Sequence, residues 1–353
     1  MICNTMETKF ITPTTTLPVA NVQALASNNL KTVPSRYIRQ ALDLEIFADN
    51  EIPVINLGKL TDDDHEELAK FHLACQDWGF FQVVNHGVGE DVIEKMIEDV
   101  GEFFELPLEE KKSRSVKSEG YGRTFVFSEE QKLDWGDMYY LHTQPVESRN
   151  YAAWPTHRPL TFRETVSTYS LEMDRIKTIL VGGMAKNLGI NEGKFTNMFN
   201  NGTQSMRMNY YPPCPEASKV LGISPHSDAT GLTVLLQFNQ VHGLQINHNG
   251  TWVPVKMLPN ALLVNIGDII EILTNGKYKS IEHRVVVSKE KARMSVATFH
   301  ETHESVVIGP LPELIINGET EQYKHVSFVE FFTMFLSRKL DGKSFLDDLK
   351  LKH

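Results

Sequence analysis

LTVLLQFNQVHGLQINHNGTWVPVKMLPNALLVNIG (residues 232–267) is the stretch that decides the fold. It holds four β-prone runs, LTVLLQF, GLQIN, TWVPVK and ALLVNIG, each closed by a short turn segment. The same texture continues outward. SMRMNYY (205–211) precedes it, and HRVVVS (283–288) and RMSVATFH (293–300) follow. Short strands recurring roughly every 8–12 residues predict an all-β barrel or a double-sheet jelly roll.

Helical patterns flank this β region. IPVINL (52–57) reads as a short strand, followed by a helix capped at Thr61. Asp62 to Asp64 suit that helix's positive N-terminus, and Leu68, Phe71, Cys75 and Trp78 recur at helical spacing. GFFQVVNHG (79–87) is an apolar strand ending in a turn. The next helix carries Val92, Ile93, Met96, Ile97, Val100, Phe103 and Phe104 on one stripe and stops at Pro107. A long helix starts at Thr161 with Glu164 three residues on, the pattern of a capping box, and runs towards Leu188. Ser327 and Glu330 repeat that pattern before a Phe-rich C-terminal helix. That helix either caps the mouth of the β core or packs against it. The class expected is α+β, with a soft boundary near residue 200: an arm over 1–50, a helix-rich α/β region over 51–200, the jelly roll over 201–305 and a helical extension over 306–353.

The chain has 353 residues, enough for one large domain or two. It is 41% hydrophobic and 23% charged, as globular proteins are. The net charge of −10 excludes phosphate neutralisation by clustered Lys and Arg, so neither nucleic acid nor an anionic membrane surface is an expected partner. Cys3, Cys75 and Cys214 form no CxxC pair and no even framework, which favours a reducing compartment. The N-terminal MICNTMETKFITPTTTLPVA has neither a long apolar core nor Arg richness, and no apolar run approaches a membrane span. A cytoplasmic monomer is expected.

Within the β region, GISPHSDATG (222–231) places His226 and Asp228 one residue apart. In a strand, residues i and i+2 face one side, so both would point into one volume, with Ser227 turned away and tolerant of change. The alternative is a solvated turn histidine beside an Asp that bonds the backbone. A third ligand is available in His283, which opens a β-branched run. His226, Asp228 and His283 would form the two-His-one-carboxylate triad that leaves coordination positions open and suits Fe(II) oxygen chemistry; zinc sites more often take three His or add cysteine. In RMSVATF (293–299), Arg293, Ser295, Ala297 and Phe299 share a face. An Arg on a strand that otherwise reads as core is costly unless paired. It is either an edge residue reaching solvent or a guanidinium that clamps the carboxylate of a bound acid, with Ser295 as a second donor. In RMNYYPPCP (207–215), Arg207, Asn209 and Tyr211 share a face; Asn209 and Tyr211 either bond a small polar ligand or simply lead into the Pro-rich turn.

Taken together, HSD (226–228), His283, RMS (293–295), NYYPPCP (209–215), GLQIN (243–247), NIGDIIEILTNGKYKSIEHR (265–284) and DWGFFQVVNHGV (77–88) resemble the plant 2-oxoglutarate- and Fe(II)-dependent dioxygenases. The resemblance covers nearly the whole chain from about residue 50. It implies a double-stranded β-helix (cupin-like) core. It implies Fe(II) on His226, Asp228 and His283, and 2-oxoglutarate on Arg293 and Ser295 with help from Tyr211 and Asn209. It implies O2 as co-substrate, ascorbate as reductant, and succinate and CO2 as co-products. Phe299 matches a position where relatives stack an aromatic substrate. Within the family the chain most resembles the group of alkaloid O-demethylases (codeine/thebaine demethylase-like), flavonol synthase and anthocyanidin synthase. QKLDWGDMYYLHT (131–143) and the tail LDGKSFLDDLK fit the O-demethylase branch.

Tyr121, Phe125, Phe127, Tyr139, Tyr140, His142, Phe299 and Glu301 are the candidates for lining the substrate pocket, though such aromatic residues more often pack a core than touch a substrate. As a set they point to a flat, apolar, aromatic small molecule, an alkaloid or flavonoid. Hydroxylating an O-methyl carbon yields a hemiacetal that loses formaldehyde, so hydroxylation and O-demethylation share one triad. The competing expectations are a dioxygenase acting on a hormone of gibberellin, auxin, salicylate or strigolactone type, and a non-catalytic small-molecule binder on the same fold. A zinc hydrolase is disfavoured because no general base stands beside the ligands.

Overall fold

The structure is a computed structural model that describes residues 17–28, 30–40, 42, 51–116, 119–122, 126–315 and 319–352. In chain order its N-terminal part forms α1 (Val22–Ser27), β1 (Val54–Asn56), α2 (Leu57–Thr61), α3 (His65–Leu73), β2 (Phe80–Val84), α4 (Glu90–Glu105), α5 (Leu108–Lys112), β3 (Gly120–Gly122), β4 (Asp137–Gln144), α6 (Phe162–Leu188) and α7 (Glu192–Asn197). Then follow β5 (Gln204–Tyr211), β6 (Ile223–His226), β7 (Leu232–Gln237), β8 (Leu244–His248), β9 (Thr251–Pro254), β10 (Leu262–Ile266), α8 (Asp268–Leu273), β11 (His283–Val285) and β12 (Arg293–His300). The C-terminal part adds β13 (Val307–Ile308), β14 (Val326–Ser327), α9 (Phe328–Leu336) and α10 (Ser344–Leu349).

Two sheets build the core. The larger has the order β1-β2-β10-β7-β12-β5-β4-β3, and the smaller β6-β11-β8-β9. The larger sheet buries one face against α4 and α6, where Phe103, Phe104, Phe162, Tyr169 and Met173 meet Met206, Met208 and Val296. Its other face looks at the smaller sheet across Phe80, Leu263, Tyr211, Ile223, Ile246 and Val285. Two apolar faces on one sheet demand cover on both sides, and this jelly roll meets the demand with helices outside and a second sheet inside. Asn249 and Gly250, both at positive φ, join β8 to β9 in a two-residue hairpin of the kind that Asn-Gly favours.

The β runs read from sequence appear where expected, from β5 through β12. Other expectations need correcting. Asp64, not Thr61, caps α3: its carboxylate accepts from the Glu67 amide at 2.9 Å, and Thr61 instead closes α2. The Thr161 hydroxyl does not cap α6; it donates to the Asp99 carboxylate at 2.8 Å. Ser327 does cap α9, accepting from the Glu330 amide at 3.2 Å. Phe331 and Phe332 of α9 join the main core, where Phe331 meets both Phe332 and Phe345 edge-on, which is ordinary packing against the core. Upstream of residue 200, strands β1 to β4 add to the larger sheet itself. No helix among the described residues is long and apolar enough to cross a membrane.

Candidate active site

The ligand strands meet at the β6 side of the smaller sheet. β6 ends on His226 and β11 begins on His283, and the two are direct cross-strand partners. Asp228 is not in the strand but in the turn that follows it. That turn is gripped from below by the start of α8: the Asp268 amide donates to the Asp228 carbonyl at 2.8 Å and the Ile269 amide to the Thr230 carbonyl at 3.0 Å. His226, Asp228 and His283 each offer a ligand atom, all within 4.8 Å of one another.

Each of the three is already oriented. The Nδ1 of His226 lies 2.8 Å from the Ser224 carbonyl, and that of His283 lies 3.1 Å from the Ile281 carbonyl. A carbonyl only accepts, so both Nδ1 atoms carry the proton and both Nε2 lone pairs are free for a metal. These Nε2 atoms stand 3.6 and 3.7 Å from Asp228 Oδ1, close to the roughly 3–3.5 Å between atoms that share one ion at about 2 Å. The other carboxylate oxygen, Oδ2, accepts from Thr233 Oγ1 at 2.6 Å and Asn265 Nδ2 at 2.8 Å. One oxygen is thus held by protein and the other left for the ion. Burial opposes the charge on Asp228, but His283, His226, Thr233 and Asn265 together outweigh it and hold the carboxyl below its usual range. Burial, reinforced by His283, keeps His226 neutral well below the ordinary histidine range. Two imidazole nitrogens and one carboxylate oxygen, with no further His, Cys, Asp or Glu joining them among the described residues, form the donor set that fits Fe(II). Ser227 faces away, but it is buried and donates to Asp268 at 3.1 Å, so its surroundings do not support the tolerance expected of it.

The inner face of the larger sheet carries the second group. Arg293 pairs with Tyr211, and Ser295 with Asn209, across β12 and β5. Arg293 is 2% exposed. Its Nη2 and Nε donate to Gln237 Oε1 at 2.9 and 3.2 Å, and Nη1 to Ser295 Oγ at 3.3 Å. The guanidinium lies 5.6 Å from the centre of the Tyr211 ring. No carboxylate among the described residues forms an ion pair with it. A buried cation held only by neutral acceptors is an incomplete site, and a ligand carboxylate is what completes it. Asn209 adds an unpartnered buried Oδ1. A cavity of about 510 Å³ borders Asn209 and Tyr211 and is lined also by Arg207, Met138, Leu340 and Gly342.

The proposed substrate wall divides. Register places Tyr140 beside Arg207 and His142 beside Ser205, on the inner face with Phe299. Glu301 follows β12 and lies near enough to Tyr140 to raise that phenol's pKa, second to burial. Tyr139 and Tyr121 were expected in the pocket, but alternation turns them the other way. Tyr139 is fully buried in the outer core, stacks on Phe103 at 4.0 Å and donates to the Ala153 carbonyl at 2.6 Å. Tyr121 packs edge-on to Phe103 and Phe104. Phe127 is half-buried and its neighbour Val126 lines the cavity; Phe125 lies outside the described residues. Thr233, Asn265 and Gln237 were not anticipated. Asn265 carried a signal: it is the one polar residue inside ALLVNIG, two residues from Leu263 and so on its face.

A jelly roll with a buried two-His-one-carboxylate cluster, and a buried arginine that forms no ion pair among the described residues, fits a non-haem, acid-dependent oxygenase. The comparisons agree. Residues 202–302 match the 2OG-Fe(II) oxygenase superfamily, and residues 52–159 match the N-terminal region of the non-haem dioxygenases in morphine synthesis. The chain is 48% identical to S-norcoclaurine synthase 1 of Coptis japonica over 95% of its length and 97% of the relative's. It is 40% identical to codeine O-demethylase of Papaver somniferum over 95% and 97%. The crystal structure of JOX2 in complex with 2OG, Fe and JA superposes with a TM-score of 0.88 at 38% identity, covering 95% of this chain and 99% of that one. The chain belongs to the 2-oxoglutarate- and Fe(II)-dependent oxygenases and is an oxidoreductase.

Proposed function

We propose that this enzyme hydroxylates or O-demethylates a flat aromatic specialised metabolite of alkaloid or flavonoid type, with release of succinate and CO2. His226, Asp228 and His283 are the residues that would hold Fe(II), and Arg293 and Ser295 those that would hold the distal carboxylate of 2-oxoglutarate. Iron bound there, with 2-oxoglutarate and O2, would supply the oxidising chemistry. The protein's part is placement. Thr233 and Asn265 fix the carboxylate oxygen that faces away from the metal, Gln237 and Tyr211 fix the guanidinium, and Phe299, Tyr140 and His142 form a wall for a ring. The observation that carries the reading is the buried Arg293, without an ion-pair partner among the described residues, on the inner face that also presents Phe299.

The aromatic class rests on that wall and on the similarity to codeine O-demethylase and S-norcoclaurine synthase 1. A second reading, a carboxylate-bearing hormone-type substrate, is favoured by Arg207, whose buried Nε has no hydrogen-bond partner among the described residues. Incubation with Fe(II), ascorbate and 2-oxoglutarate against two panels separates them: methoxylated alkaloids and flavonoids, and carboxylated hormones. Mass spectrometry should find an O-methyl lost, with formaldehyde released, or an oxygen gained in the first panel. Turnover confined to the second overturns the aromatic reading. We place the enzyme in the cytoplasm, as a monomer.

A further inference from the structure

β6, which carries His226, is the edge strand of the smaller sheet. Its outer side is not bare. Gly342 forms a parallel bridge with His226: the Gly342 amide donates to the Pro225 carbonyl at 2.9 Å, and the Ser227 amide to the Gly342 carbonyl at 3.3 Å. A segment more than a hundred residues downstream thus lies along the ligand strand. Gly342 holds φ +54° there, where a β-branched residue is strained.

The next residue anchors this strap. Lys343 Nζ donates to Glu271 Oε2 at 2.9 Å and to the Ser280 carbonyl at 2.7 Å. The Glu271 side chain is 4% exposed. The same Oε2 accepts from the Ser280 amide at 2.6 Å, and Oε1 accepts from Tyr323 at 2.7 Å. Each contact leads to a ligand. Glu271 sits on α8, whose first amide holds the main chain of Asp228. Ser280 is three residues before His283, and Gly342 is bridged to His226. One ion pair therefore ties together α8, the approach to β11 and the strap along β6, and so reaches both backbone segments that carry the three ligands.

We propose that Lys343 is a positioning residue of the metal centre: through Glu271 and Ser280 it seats the 340–343 strap on β6 and sets the spacing of His226, Asp228 and His283. This rests on the assignment of those three side chains as the metal ligands. The test is calorimetric titration of the full chain with Co(II), a probe that needs no turnover, alongside melting of the metal-free protein. Lys343→Met should weaken Co(II) binding about tenfold or more, the usual cost of losing a group that orients ligands. Lys343→Arg, which keeps the ion pair, should restore it to within a few fold. The double variant Lys343→Met/Glu271→Gln removes the stranded buried charge, so it should regain melting temperature without regaining Co(II) affinity. Gly342→Val should act in the same direction as Lys343→Met by unseating the strap itself. Unchanged affinity in Lys343→Met, or affinity that returns with stability in the double variant, overturns the proposal and leaves a purely structural ion pair. If the unaltered chain takes up no Co(II), or His226→Ala binds it equally well, the metal assignment fails instead.

Discussion

Asp228 has two oxygens with two different tasks, and a buried carboxylate needs both filled. Thr233 and Asn265 satisfy one; only a cation satisfies the other well. Glu301 poses the opposite case. Its carboxyl has no hydrogen-bond or ion-pair partner among the described residues, and burial pushes it up from 4.5 to about 8. Between those pH values the unfolded chain has lost this proton and the folded chain keeps it. The folded state then binds more protons, so stability falls as pH rises through the window. Glu301→Gln cannot ionise and removes that fall. Denaturant midpoints of variant and parent should therefore draw apart in the variant's favour from pH 4.5 to about 8. A difference that stays constant across the range would show that Glu301 ionises as an exposed carboxylate does.

At the scale of elements, strand alternation made most of the site legible. It aligned Arg293 with Ser295, and Asn209 with Tyr211, and register then set the two pairs side by side. It failed in two places. QKLDWGDMYYLHT does not alternate cleanly because both faces of β4 are covered, with Met138, Tyr140 and His142 inward and Tyr139 and Leu141 in the outer core. Such a strand has no polar side to reveal it, so nothing in the run separates Tyr139, which packs in the outer core, from the inward Tyr140. The clamps Thr233 and Gln237 were hidden for another reason: they act through pairings of β7 with β10 and β12, and single runs carry no register between distant strands. The turn after β6 yields a sharper expectation. A Cβ on Gly267 would lie 2.0 Å from the Thr230 carbonyl oxygen. Backbone must move to admit it, so Gly267→Ala should cost about 2 kcal/mol or more in urea denaturation. A loss within about 0.5 kcal/mol, the range of innocuous surface changes, would mean the turn at Asp228 yields freely.

Across the whole molecule, the β rhythm disclosed the jelly roll, while the net charge argued against nucleic acid and the motif resemblance pointed to a small-molecule substrate. Sequence alone left open how the remote parts converge. The N-terminal strands widen the main sheet, and the C-terminal strap closes the edge that holds His226. Neither is a local property: both depend on contacts between segments far apart in the chain, which no periodicity encodes. The centre we propose draws its ligands from β6, its turn and β11, and its acid-binding group from β12. The direct test of this account is succinate formed from 2-oxoglutarate under O2, with Fe(II) supplied or withheld, in the parent chain, Asp228→Ala and Arg293→Ala. Succinate should require Fe(II), vanish in Asp228→Ala, and in Arg293→Ala return only at much higher 2-oxoglutarate. Full turnover by Asp228→Ala, or an unchanged 2-oxoglutarate requirement in Arg293→Ala, would contradict it.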